Sequence, residues 1–213
     1  VTQTNLKEAM KSYDSALPSV TDLIGSSELD VLKTQAKNLA KYVVGCCSID
    51  MLVVRKNNIR VINTPDGLSK CTAHLEMTSM LMSARRTAEG GSVLHKVEWT
   101  GWHPTQSVDT RVSRKTLGIV GFGRIGQEMT QRAHHGFDMH IVVYNQWKVA
   151  SNVVARYCAA QMEKLKDLMP LCDFISVHCG CGAQKRHLIN ARMLKLMKPN
   201  AFFINIARGR IIS

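Results

Sequence analysis

The chain has 213 residues, 45% of them hydrophobic and 21% charged, with 28 Lys and Arg against 16 Asp and Glu, a formal net charge of +12. That balance describes a globular chain of one or two domains with a sizeable core, and it excludes a disordered polyelectrolyte. No apolar run reaches the length of a membrane span and the opening segment has no signal-peptide architecture, so no membrane association is expected and the expected compartment is the cytoplasm.

The positive charge is spread over short clusters, Arg85-Arg86, Arg111 with Arg114-Lys115, and Lys185-Arg186, without interleaved aromatics. This pattern predicts a solvated surface that draws in small anions, and no nucleic-acid partner. The seven cysteines, Cys46, Cys47, Cys71, Cys158, Cys172, Cys179 and Cys181, are odd in number with no C-x-x-C spacing, which predicts reduced thiols.

In chain order, a helical pattern from Asn5 to Tyr13 precedes three short extended segments, Ala16 to Pro18, Asn38 to Val44 and Ile59 to Asn63. Helical stretches near Ser26 to Thr34 and Ile49 to Lys56 separate them, and Thr64-Pro65-Asp66-Gly67 is a turn signal. Cys71 to Glu89 reads as one long helix with an apolar face of Leu75, Met77, Met80, Leu81, Met82 and Ala84, stopped by Gly90-Gly91. After Trp99 to Pro104 and a polar loop, strands and helices alternate. They are strand Thr116 to Val120, helix Ile125 to His135, strand Met139 to Tyr144, helix Glu163 to Met169, strand Phe174 to His178, helix Ala191 to Met197 and strand Ala201 to Asn205. Such alternation predicts an α/β chain with a doubly wound parallel sheet.

The segment TLGIVGFGRIGQEM sets Gly121, Gly123 and Gly126 in G-x-G-x-x-G order between the first of these strands and its helix. In that context Gly121 permits the tight turn, Gly123 lets a pyrophosphate approach the backbone, and Gly126 lets helix pack on strand, as in a Rossmann dinucleotide-binding domain. The anion would meet the N–H groups of Arg124 and Ile125 at the helix start. At the end of the next strand, where an acid usually binds the adenosine ribose, stand Asn145 and Gln146, with Lys148 beyond as a candidate phosphate partner. NADP is therefore expected at least as readily as NAD.

Five segments resemble a known family: NTPDGLSKCTAHLEM (Asn63 to Met77), EWTGWHP (Glu98 to Pro104), KTLGIVGFGRIGQ (Lys115 to Gln127), CDFISVHC (Cys172 to Cys179) and RHLINARMLKLMKPNAFFINIARGR (Arg186 to Arg210). They are similar to the NAD(P)-dependent D-2-hydroxyacid dehydrogenases, and most closely to glyoxylate/hydroxypyruvate reductase-like members. The resemblance implies a dinucleotide-binding domain at 71–213, with its linking helix at 71–89 and without its C-terminal strands. It also implies an incomplete flavodoxin-like substrate domain at 1–70. A first strand would precede the helix at Asn5 and lie inside the substrate-domain sheet, so its absence is expected to leave unpaired strand edges. Both ends of the chain are then expected to be incomplete.

The resemblance further implies hydride transfer between the nicotinamide and a short 2-oxo or 2-hydroxy acid. Arg208 matches the catalytic arginine, whose planar fork can hold the substrate carboxylate and polarise the ketone. The family's glutamate and histidine would lie beyond Ser213. Ile206 and Ala207 would meet the nicotinamide side, His178 and Cys179 would line the cofactor pocket, and Val44 with Gly45 would face the nicotinamide as the substrate loop. The family implies a homodimer in the full-length protein, built through the dinucleotide domain and linking helix. Departures from the family pattern are Val43 for a glycine, Cys46 and Cys47 in the substrate loop, Gly180 for a proline, Asp138 for a glycine that could strain its turn, and Ser213 for an aspartate.

No metal is expected: His178, Cys179, Cys181, His187 and Cys172 offer poor tetrahedral closure and no second C-x-x-C. Cys179 has no base fixed beside it, against a nucleophile. His134, His135 and His140 read as structural. The alternatives to an oxidoreductase are a dinucleotide-binding regulatory, corepressor-like protein and an inactive remnant, since fold alone does not choose between them.

Overall fold

The computed structural model describes residues 3–29, 34–105, 108–180 and 182–213, and the chain divides into two units, Val1–Leu68 and Ser69–Ser213. The end of the expected helix near Ser26 to Thr34, part of the polar loop after Pro104, and Cys181 lie outside the described residues.

In the first unit, helix α1 (Gln3–Ser12) buries Leu6 and Met10, one helical turn apart. Strands β1 (Ser15–Ala16), β2 (Asn38–Lys41) and β3 (Arg60–Asn63) form a parallel sheet in that order, with Ala16 opposite Leu39 and Leu39 opposite Val61. Two short helices, α2 (Ser26–Leu29) and α3 (Met51–Lys56), complete it. Asp50 caps α3, its carboxylate accepting from the N–H groups of Leu52 and Val53, a contact of about 1 kcal/mol. Leu39, Ile24, Leu29 and Met10 form the centre of the core. The sheet corrects one expectation: no gap opens between the strands expected to flank a missing neighbour, because β1 hydrogen-bonds directly to β2.

The second unit opens with α4 (Ser69–Ala84) and α5 (Thr87–His95) instead of one helix over 71–89. The break is at Arg86, whose φ of 50° is left-handed and cannot continue an α-helix. Its guanidinium is held by the Glu89 carboxylate and donates to the Val108 carbonyl at 3.3 Å. Gly90 and Gly91 lie inside α5; neither takes the positive φ that makes glycine a stop signal. The buried face of α4 is Ala73, Met77, Met80 and Ala84, while Leu75 and Met82, expected to be part of it, are exposed.

Five parallel strands follow: β4 (Thr116–Val120), β5 (His140–Tyr144), β6 (Ala159–Met162), β7 (Phe174–Val177) and β8 (Phe202–Asn205), ordered β6-β5-β4-β7-β8. Helices α6 (Arg124–Phe137), α7 (Ser151–Arg156), α8 (Leu165–Leu168) and α9 (Ala191–Leu194) link them. Counted within the sheet this is order 3-2-1-4-5, the doubly wound arrangement, whose direction reverses between β4 and β7. Sequence reading passed over α7 and β6. The strand reads Ala-Ala-Gln-Met, with little intrinsic β preference, and it exists because its backbone pairs with β5 at the sheet edge.

Side chains alternate between two buried faces. Leu117, Ile119, Ile141, Val143, Phe174 and Ile204 pack beneath α4 and α6, and Val120, Val142, Ile175 and Val177 pack against Leu168 and Met169. Phe174 and Phe202 stack at a centroid separation of 5.0 Å. Each fully buried side chain of this size contributes about 1.5–3 kcal/mol, so the central strands fix the sheet and hold the loops at its carboxyl edge. Among the described residues no helix is long and apolar enough to cross a membrane.

Candidate functional site

The reversal of strand order places the loops after β4 and β7 side by side, and the glycine turn occupies that point. Gly121 has φ of 100°, and a Cβ there would lie 2.8 Å from the backbone nitrogen of Cys179. At Gly126 a Cβ would lie 2.5 Å from the Gly121 carbonyl oxygen. The chain itself requires those two glycines. Gly123 is different: a Cβ there meets nothing within 4 Å. Among the described residues nothing explains its missing side chain, whereas an anion seated on the backbone at the start of α6 would. Gly123 is the N-cap of α6, with Arg124 and Ile125 in its first turn, the end of a helix that favours an anion.

In front of this turn is a cleft of about 360 Å³, lined by Gly121 and Gly123, by Tyr144, Asn145 and Gln146 after β5, and by His178, Cys179, Gly180, Gln184, Lys185 and Leu188 after β7. Of the expected cofactor residues it gathers Gly121, Gly123, Asn145, Gln146, His178 and Cys179. Asn145 has a second task, because its carbonyl oxygen accepts from the Phe122 N–H at 3.3 Å while its amide donates to the Trp147 carbonyl at 3.1 Å. It thereby ties the end of β5 to the glycine turn. Lys148 is exposed and does not line the cleft; the lysine that does is Lys185. Sequence reading counted Lys185 only among surface charges, because its place depends on how the loop after β7 folds back.

His178 continues the face of β7 that carries Phe174 and Ser176, and so points beneath α4. Its Nε2 lies 2.8 Å from Ser176 Oγ, and its Nδ1 lies 3.2 Å from Glu76 Oε2. Both side chains are sealed from solvent, at 1% and 0% exposure. Burial pulls the imidazole down to about 3 and pushes the carboxyl up to about 8. The contact is therefore between two neutral groups instead of an ion pair, and neither Glu76 oxygen nor His178 Nδ1 has hydrogen-bond geometry. Glu76 escaped the sequence reading; its signal was an acid set among the apolar positions of a long helix.

Burial also raises the thiols of Cys179 and of Cys172, the latter to about 12, which suits inert packing groups. Among the described residues no cluster of three or more His, Cys, Asp and Glu can hold a metal ion. Among the described residues Cys46, Cys71, Cys158, Cys172 and Cys179 are free thiols.

Arg208 follows β8 at its carboxyl end, in the turn that precedes Gly209–Ile211. Asn205 braces this turn at both ends: its carbonyl oxygen accepts from the Ala207 N–H at 3.0 Å, and its amide donates to the Arg208 carbonyl at 3.0 Å. The Arg208 guanidinium is exposed and donates to the Ala207 carbonyl at 2.6 Å. Ile206 and Ala207 are half-buried, packing against opposite faces of the sheet. Val44 and Gly45 belong to the first unit, just past β2, where the Asn63 amide donates to the Val44 carbonyl at 2.8 Å. Val43 is buried and its carbonyl accepts from Thr64.

Residues 77–213 match the family model of the D-isomer specific 2-hydroxyacid dehydrogenase NAD binding domain. The chain is 36% identical over 211 residues to glyoxylate reductase of Thermococcus litoralis, covering 97% of this chain and 62% of that enzyme. It is 31% identical over 212 residues to glycerate dehydrogenase of Hyphomicrobium methylovorum, covering 100% of this chain and 66% of the relative. Among solved structures, a protein from Thermus thermophilus superposes with a TM-score of 0.90 at 30% identity, over all of this chain and 66% of that one. The chain thus spans a little under two thirds of the length of these relatives.

Proposed function

The chain belongs to the D-isomer-specific 2-hydroxyacid dehydrogenase family, and on that premise we propose that it binds NAD or NADP across the β4–β7 crevice, in a protein that reduces a short 2-oxo acid of the glyoxylate or hydroxypyruvate kind. The observation that carries this reading is Gly123, the one glycine of the turn whose missing side chain answers no contact within the chain. The fold of the turn fits the group: a left-handed Gly121, a close-packed Gly126 and an open Gly123 leave room for a pyrophosphate at the start of α6.

The bound dinucleotide would supply the hydride. The chain's own residues supply placement. Asn145 holds the glycine turn against β5, and the first turn of α6 offers its N–H groups to the diphosphate. Asn205 fixes the turn that carries Arg208, the proposed catalytic residue, whose fork would hold the substrate carboxylate and polarise the carbonyl that receives the hydride. Ile206 and Ala207 are proposed for the nicotinamide side, and Val44 and Gly45 for the substrate loop. We also propose a homodimer, supported by the apolar surface that Leu75, Met82 and Leu94 leave exposed on α4 and α5.

The test is to follow nicotinamide oxidation with glyoxylate and with hydroxypyruvate, in the protein that carries these 213 residues. Turnover above the background of cofactor alone is expected with at least one of them. Cofactor binding without turnover of any short 2-oxo acid would leave a binding protein and overturn the enzymatic part.

A further inference from the structure

The bank of the cleft beside β5 carries amides and no acid, and the facing bank carries a lysine. The residues that leave β5 are Asn145, Gln146, Trp147 and Lys148, and among the described residues lining the cleft there is no Asp or Glu, while Lys185 brings a positive charge. Lys185 is half-buried at the end of the 3-10 turn Ala183–Lys185, and its N–H donates to the Gly182 carbonyl at 2.9 Å. The neighbouring Gln184 accepts from the Gln146 amide at 3.3 Å, so the loop after β7 is tied to the loop after β5. The Lys185 charge also acts on the Cys179 thiol, opposing the effect of burial there. Lys185 thus lines the cleft on a loop that is tied to the opposite bank through Gln184.

In a doubly wound sheet the adenosine ribose lies at the end of the second strand, and an acid there both binds the 2′-hydroxyl and repels a 2′-phosphate. Here that acid is replaced by amides, and Lys185 lines the facing bank. We propose that Lys185 is a specificity-determining residue that pairs with the 2′-phosphate of NADP, with the Gln146 and Gln184 amides as its polar neighbours. This assigns to the loop after β7 the task that sequence reading gave to Lys148. It rests on the dinucleotide-binding reading above.

The test is fluorescence titration of the 213-residue chain with NADPH and NADH, repeated for Lys185→Met and Lys148→Met. Lysine acts as a point charge and not as a bidentate fork, so the expected effect is moderate: Lys185→Met weakens NADPH by about tenfold and leaves NADH within about twofold. Lys148→Met leaves both unchanged. Lys185→Arg keeps the NADPH preference, which shows that lost charge, not a misfolded loop, accounts for the first result. The inference is overturned if Lys185→Met weakens both cofactors equally, if it weakens neither, or if Lys148→Met takes the loss. Failure of the unaltered chain to bind either cofactor would instead count against dinucleotide binding itself.

Discussion

Glu76 Oε2 lies 3.2 Å from His178 Nδ1, with both side chains sealed from solvent under α4. His178 also forms part of the cleft wall, and its carbonyl carbon would lie 2.9 Å from a Cβ at Gly121. The pair therefore joins α4 to the turn that would receive the pyrophosphate, and its protonation state bears on the stability of that region.

The pair predicts a stability profile with two edges. His178 falls from 6.5 to about 3 in the folded chain, so only the unfolded chain binds that proton between these values, and stability from this group rises with pH through the window. Glu76 rises from 4.5 to about 8, so only the folded chain holds that proton between those values, and stability from this group falls as pH rises. From 4.5 to 6.5 the two slopes cancel; from 6.5 to about 8 only the fall remains. Glu76→Gln keeps the volume and removes that fall. Melting temperatures at about pH 6 and about pH 8.5 should show a drop in the unaltered chain that is smaller in the variant; equal drops would show that Glu76 is not held protonated.

At the end of α6, Asp138 has φ of 51°, and its place after the helix is one that glycine fills without strain. Asp138→Gly should stabilise the chain by roughly 0.5–1 kcal/mol, the relief of left-handed strain outweighing the added freedom of the unfolded chain. Thermal melting checks this: a rise of about 2–4 °C is expected for a chain of this size, and a fall would mean that the Asp138 side chain contributes more than its backbone costs.

Arg208→Lys keeps the charge but loses the planar fork. In the active protein it should lower kcat/KM for the 2-oxo acid by about 10²-fold or more, corresponding to roughly 3 kcal/mol of transition-state stabilisation, with dinucleotide affinity preserved. Steady-state kinetics beside cofactor titration separates the two effects. Full activity of the variant would remove Arg208 from the mechanism.

The doubly wound sheet was legible because its central strands are runs of apolar residues bounded by turn signals, as at Leu117 to Val120 and Phe174 to Val177. The glycine turn was legible because its three glycines stand between such a strand and a helix. What escaped was set by tertiary context. β6 is a strand only through its pairing with β5, and the helical stretch after Ser69 breaks at Arg86, a residue type that gives no stop signal. In the site, Lys148 lay at the right sequence distance from the glycine turn, yet Lys185 lines the cleft because a hydrogen bond from Gln146 to Gln184 links the loops. Glu76 and His178 are far apart in sequence, so their contact exists only in the fold.

The central claim is that the turn at Gly123 seats the diphosphate of a nicotinamide dinucleotide, and its most direct measurement is the affinity of the unaltered chain and of Gly123→Val for NADH and NADPH by nicotinamide fluorescence. A valine Cβ meets no atom of the chain at that position, so the variant should fold and melt as the unaltered chain does. Its branched side chain would occupy the space of the pyrophosphate, and both affinities should fall by at least about tenfold, or roughly 1.4 kcal/mol. Equal affinities in the two chains, at equal melting temperatures, would contradict the account and leave the glycine turn as a turn alone.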